Sequence, residues 1–235
     1  MSGLSGRRAF VTGASRGIGA AVARRLSADG VKLALASRSG DDLGLPEAIG
    51  LACDVADAGQ MDAAVARAAE ELGGLDILVN NAGVGAYGPY LELDAAQLEE
   101  MIDVNLKGTL YAVRAALPHL LESDAADIVT VASVAGLRGL PNEAVYCASK
   151  FGQVGFMRAL DHELHGQGVR CTSVCPGGVA TDFAMGRGRT EDMPELADMM
   201  SGDDVAETVH FVLTRPRGVR MLTVSYRPMS EPAAG

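Results

Sequence analysis

Short apolar runs alternate with longer stretches of helical periodicity along the chain, and this constrains the fold more than any other feature. The strand-like runs cover residues 8–11, 32–36, 50–53, 76–79, 127–132, 169–175 and 221–225. Helical patterns occupy 17–29, 57–72, 95–121, 145–165 and 203–214. Ile77-Leu78-Val79 and Ile128-Val129-Thr130-Val131 are apolar on both faces, as strands of a parallel sheet covered by helices on both sides must be. The alternation predicts a single α/β domain, a doubly wound sheet of about seven mainly parallel strands. In such a sheet ligands sit beyond the carboxyl ends of the strands, so the residues following each strand carry the functional expectations.

One connection is too tight for this pattern. Residues 37–50 join two strand-like runs and contain Gly40, Gly44 and Pro46, whereas a parallel crossover needs about a dozen residues or more. A helix of one or two turns at most, or none, is expected there.

Composition narrows function. With 30 acidic and 20 basic residues the formal charge is -10, which repels phosphate backbones and anionic lipid and argues against nucleic-acid or membrane partners. The first ten residues carry Arg7 and Arg8 but no apolar signal core, so a cytoplasmic protein is expected. Cys53, Cys147, Cys171 and Cys175 lack disulfide-framework spacing and are read as reduced thiols. His162 and His165 precede Cys171 and Cys175, but the histidines suit a helix C-terminus and the cysteines lie in an apolar strand. No metal site is assigned.

The chemistry is concentrated after the strands. Thr12-Gly13-Ala14-Ser15-Arg16-Gly17-Ile18-Gly19 leads from the first strand into a helix, the context in which a glycine turn brings backbone amides and a helix N-terminus to a pyrophosphate. Asn80-Asn81-Ala82-Gly83 follows the fourth strand, and Asn105 lies in the long central helical pattern. Ser133 ends the fifth strand, and Tyr146-Cys147-Ala148-Ser149-Lys150 opens the next helix. Pro176-Gly177-Gly178-Val179-Ala180-Thr181 follows the sixth strand. Tyr146 and Lys150, four positions apart in a helix, share one face. A phenol normally ionises near pH ~10, and a neighbouring ammonium would favour the phenolate and make Tyr146 a usable proton donor or acceptor. Ser133 can hydrogen-bond a substrate oxygen as charge develops on it.

Taken together and in this order, these motifs resemble the short-chain dehydrogenase/reductase family over most of the chain. The resemblance implies a Rossmann sheet and an NADP(H)-dependent reductase that turns a ketone or aldehyde into an alcohol, reversibly. Ser133, Tyr146, Lys150 and Asn105 would form the catalytic set. By the same resemblance Lys150 would also hold the nicotinamide ribose and Asn105 would support a proton relay. Gly13, Ser15, Arg16, Gly17, Ile18 and Gly19 would bind the cofactor phosphates. Asp54 and Val55 would meet the adenine, while Asn81, Ala82, Gly83, Pro176, Gly177, Val179 and Thr181 would line the rest of the cofactor site. Ser37 and Arg38 stand where NAD-preferring sites place an acid, and a hydroxyl beside a guanidinium suits a 2′-phosphate. Arg16 adds charge on the same side, so NADP(H) is preferred over NAD(H).

Residues 183–200, rich in Met, Gly and charge, are expected to be a substrate lid, with Arg187 and Arg189 on a solvated face and an anion site at the two arginines as the alternative. Val84–Tyr90 and Gly139-Leu140-Pro141 are expected to complete the pocket. Residues 229–235 are expected to be a flexible tail. The ending Tyr226-Arg227-Pro228 lacks the Asp-Gly-Gly of many acyl-carrier-protein ketoreductases. Partners implied by the resemblance are a small carbonyl or alcohol and further copies of the chain, as a homodimer or homotetramer. The alternative from another class is a non-catalytic NADP(H)-binding sensor, which has no need of an intact Ser133, Tyr146 and Lys150. A methyltransferase fits poorly, because Ser37 and Arg38 replace its acidic ribose ligand.

Overall fold

A computed structural model describes residues 3–231. Its sheet has seven strands: β1 (Arg8–Thr12), β2 (Lys32–Ser37), β3 (Ala48–Ala52), β4 (Ile77–Asn80), β5 (Asp127–Val131), β6 (Arg170–Pro176) and β7 (Thr223–Tyr226). They lie in the order β3-β2-β1-β4-β5-β6-β7, each pair of neighbours parallel. The order reverses between β1 and β4, which opens a crevice at the carboxyl ends of those strands.

Successive side chains on a strand enter opposite layers, and those two apart share one. Ala9, Val11, Ile77 and Val79 pack with α1 (Gly17–Ala28) on one face. Phe10 and Leu78, between them in sequence, pack on the other with α2 (Ala58–Leu72). This period of two, apolar in both phases, is why these strands read as continuous hydrophobic runs.

Two expectations about connections are settled by the backbone. Between β2 and β3 no helix forms; residues 38–47 are a chain of turns in which Leu43 (φ 59°) and Glu47 (φ 56°) take left-handed conformations. Ser37 anchors this loop, its Oγ accepting from Gly40 N at 3.1 Å. The single helix expected over 95–121 is a correction. α3 (Ala95–Glu100) opens with a capping box of Asp94 and Gln97, the middle Met101–Lys107 winds as a π-helix, and α4 (Gly108–Leu120) completes the run. The bulge has a tertiary cause. The Asn105 carbonyl accepts from Thr109 Oγ1 at 2.8 Å and from Gln153 Nε2 of α5 (Ala144–Leu164) at 2.7 Å. A Cβ on Gly108 would lie 2.9 Å from Val55 Cγ2, so the helix also closely approaches the loop after β3 here. Periodicity alone does not separate a π stretch from a regular helix.

The opposite pole of the sheet is closed by charge. Asp127, 1% exposed, accepts from Arg170 Nε at 2.6 Å, Arg7 Nη2 at 2.8 Å and Arg217 Nη1 at 3.1 Å. Burying one carboxylate is tolerable only with this many donors. α6 (Gly202–Leu213) packs beside α1, and residues 229–231 turn back toward the crevice. The rest of the expected tail, 232–235, lies outside the described residues.

Candidate active site

The crevice holds one cavity of about 740 Å³ that runs from the glycine turn to the first residues of α5, a size within the range of small-molecule sites. At one end is the turn after β1. Gly13 adopts φ +64°, and a Cβ there would sit 2.7 Å from Ala82 Cα. Asn81 Nδ2 donates to the carbonyls of Thr12 and Gly13, each at 3.1 Å, and Thr12 Oγ1 accepts from the amides of Asn81 and Ala82 at 3.0 and 3.1 Å. Thr12 is therefore an organiser of the turn that the glycine spacing did not reveal. α1 starts at Gly17 with no side-chain cap and no acidic residue in its first turn. Its free amides and positive dipole end face the cavity, an arrangement that receives an anion.

Gly13, Ser15, Arg16, Gly17, Ile18, Ser37, Arg38, Asp54, Val55, Asn81, Ala82 and Gly83 all line this end. Gly19 is not among them. A Cβ there would lie 2.2 Å from the Gly13 carbonyl oxygen and 2.4 Å from Asn81 Nδ2, so Gly19 is required for packing of helix on turn. Arg38 is exposed and makes no hydrogen bond or ion pair among the described residues, a cation open to an anionic ligand. Arg16 is also exposed and stands 4.0 Å from Asp182.

At the other end Ser133, Tyr146 and Lys150 meet on the cavity wall, joined by Pro176, Gly177, Val179 and Thr181 from the turn after β6. Ser133 ends an extended segment after β5, its Oγ accepting from Ala135 N at 3.1 Å. Tyr146 and Lys150 lie on consecutive turns of α5, both buried, with Lys150 Nζ 5.6 Å from the centre of the phenol ring. Lys150 Nζ donates to the Val131 carbonyl at 3.2 Å. Burial pushes the Lys150 ammonium down to about 8. Burial also raises the Tyr146 phenol well above its ordinary value, and the hydrogen-bonding Ser133 hydroxyl opposes that rise. In the protein alone, loss of hydration is the main influence on the phenol.

Asn105 is set behind the wall rather than on it. It is fully buried, accepts from Val84 N at 2.8 Å, and donates to Val84 O at 2.9 Å and Ser149 Oγ at 3.0 Å. It thereby ties the loop after β4 to α5.

Several wall residues had only a regional signal in the sequence: Tyr87 lies in the expected 84–90 segment and Phe183 in 183–200, as does Arg189, which lines the cavity where a solvated face was expected. Tyr87, Tyr146 and Phe183 form an aromatic cluster with centroids 5.6 to 6.4 Å apart, and Phe183 brings the segment 183–200 against the cavity. Arg138, Glu143, Arg189 and Glu231 add four charges to the same end. Burial lifts the Glu143 carboxyl to about 7, against the pull of Arg189. Arg138 and Glu143 flank the expected 139–141 segment, and that spacing was the only hint of them. Among the described residues no group of three His, Cys, Asp or Glu stands together as metal ligands would, and no helix is long and apolar enough to cross a membrane.

Comparison with known proteins places this geometry. The family model for short chain dehydrogenases matches residues 7–192. The glycine betaine reductase of Emericella nidulans is 37% identical over 97% of the chain, which spans only 19% of that protein's length. An uncharacterized oxidoreductase of Staphylococcus aureus is 32% identical, covering 97% of this chain and all of its own. Among solved structures, an alcohol dehydrogenase of the archaeon Thermococcus sibiricus complexed with 5-hydroxy-NADP superposes with a TM-score of 0.88 at 30% identity, over 97% of this chain and 99% of its own.

Proposed function

Because the chain belongs to the short-chain dehydrogenase family, we propose that it is an NADPH-dependent carbonyl reductase, converting a ketone or aldehyde to an alcohol and running in reverse as an alcohol dehydrogenase. One observation carries this reading: Ser133, Tyr146 and Lys150 converge on one cavity that continues to the glycine turn and to the unpartnered Arg38. The uncapped start of α1 and the open guanidinium of Arg38 suit a phosphorylated dinucleotide, and the solved relative with a bound NADP derivative supports the choice.

When bound, the reduced nicotinamide supplies the hydride that forms the new C–H bond at the carbonyl carbon. Ser133 donates a hydrogen bond to the carbonyl oxygen as negative charge builds on it. Tyr146 delivers its phenolic proton to that oxygen, completing the alcohol, and is reprotonated from solvent. Lys150, its ammonium destabilised by burial, is positioned to neutralise the transient phenolate. Asn105 is a positioning residue, fixing the Val84 loop against α5. Residues 183–200 are proposed as a lid, the assembly as a homodimer or homotetramer, and the location as cytoplasm.

NADPH oxidation measured across a panel of small ketones and aldehydes tests the reading, with Tyr146→Phe alongside. Turnover by the wild type and its collapse in the variant are expected; equal rates would overturn the mechanism.

A further inference from the structure

We propose that the substrate carries a carboxylate, held at the inner end of the cavity by Arg138, and that Glu231 occupies this position until substrate displaces it. The inference rests on the carbonyl-reducing reading and names the substrate class for it.

Arg138 lies five positions after Ser133, beyond a single helical turn (Val134–Gly136), and lines the same cavity as Ser133 and Tyr146. Its side chain is only 20% exposed, yet its Nε and Nη1 have no hydrogen-bond partner. The anion nearest to it is Glu231, at 3.9 Å, beyond hydrogen-bonding range. A mostly buried guanidinium with idle N–H groups is costly unless something completes it. Its planar fork matches a carboxylate with two parallel bonds.

Glu231 shows how a carboxylate sits there. Its Oε1 accepts from the Gly178 amide, while its Oε2 is buried without a hydrogen bond. It stands close enough that a Cβ on Gly177 would meet its Oε1 at 2.6 Å. Glu231 belongs to no helix or strand; its own amide bonds to Pro228 O in a turn. A turn can withdraw without disturbing the sheet. Once it does, the two guanidiniums of Arg138 and Arg189 stand against the one carboxyl of Glu143 on this wall, a carboxyl that burial raises. The inner end is then cationic. Ser133 and Arg138, five positions apart on one cavity wall, suit a short molecule bearing a carbonyl and a carboxylate, an oxo acid.

The test uses matched probes: acetoacetate and levulinate against their methyl esters, with NADPH, on wild type, Arg138→Gln, Arg138→Lys and Glu231→Gln. The wild type should favour each acid over its ester. Arg138→Gln should raise KM for the acids by about 10- to 100-fold more than for the esters, the scale of a charged hydrogen bond. Arg138→Lys should recover part of the loss, and Glu231→Gln should lower KM for the acids alone. Preference for the esters, or equal losses on both, overturns the proposal. If no variant turns over any probe, the reduction reading fails by itself, and the subsite is read from thermal shifts of the NADP⁺-saturated protein. Butyrate but not butyramide should then raise the Tm of the wild type and leave Arg138→Gln unmoved. A shift by both ligands, by neither, or a variant that still responds to butyrate overturns the anion subsite.

Discussion

The two ends of the cavity are built from different materials. At the glycine turn the ligand-facing groups are backbone amides, one helix end and the open guanidinium of Arg38, while Thr12 Oγ1 and Asn81 Nδ2 fix the turn by bonding to main chain. At the far end the working groups are side chains, several of them ionisable, with Tyr146 and Lys150 buried and Arg138 and Glu143 half-buried. A backbone site is rigid and indifferent to everything beyond the charge it receives. A side-chain site is tunable, because burial moves proton affinities by units. Binding of cofactor and selection of chemistry can therefore be damaged separately.

The largest separation is expected for Tyr146→Phe. Removing a positioned proton donor should lower kcat by about 100- to 10,000-fold while NADPH affinity, measured by fluorescence titration, stays within about two-fold. A comparable loss of affinity would show that the ends are not independent. The converse is Arg38→Ala, which should weaken NADPH by about 10- to 100-fold and leave NADH unchanged. Parallel losses for both cofactors would remove the 2′-phosphate assignment.

Gly19→Ala sharpens the point that the glycine turn is packing as much as binding. A methyl aimed at the Gly13 carbonyl oxygen should destabilise by about 1–3 kcal/mol, a Tm drop of about 2–12 °C for a domain of this size. An unchanged Tm would mean the turn relaxes freely.

The smallest effect is a slope with pH. The folded state holds the Lys150 pKa down to about 8, below its ordinary 10.5. Between these values the unfolded chain binds more protons, so unfolding free energy rises with pH across this window. The raised Tyr146 phenol acts in the opposite direction only above about pH 10, where an unfolded phenol ionises. Lys150→Met should be more stable than wild type in urea melts at neutral pH, by a margin that narrows as pH climbs from about 8 toward 10. A constant margin would place the ammonium in a hydrated setting.

Legibility followed the same division. The strand runs were visible because two-sided burial writes itself as unbroken hydrophobicity, as in Ile77-Leu78-Val79. The helix-free link between β2 and β3 was visible because too few residues separate the strands. The π stretch at Met101–Lys107 was invisible, since it exists to satisfy Gln153 and Thr109 at the Asn105 carbonyl, partners that periodicity does not encode. Gly19 was read as a ligand contact from its place in the motif, and the structure adds a packing demand from its neighbours across the turn.

What the sequence by itself determined is the sheet, the glycine turn and the Ser133, Tyr146 and Lys150 set, because local spacing and strand order fix all three. Only the tertiary structure decided how deeply the Tyr146 phenol and the Lys150 ammonium are buried. It alone brought Arg138, Glu143, Arg189 and Glu231 from separate segments to one wall. Desolvation and charge proximity are properties of three-dimensional neighbours, and no pattern along the chain records them.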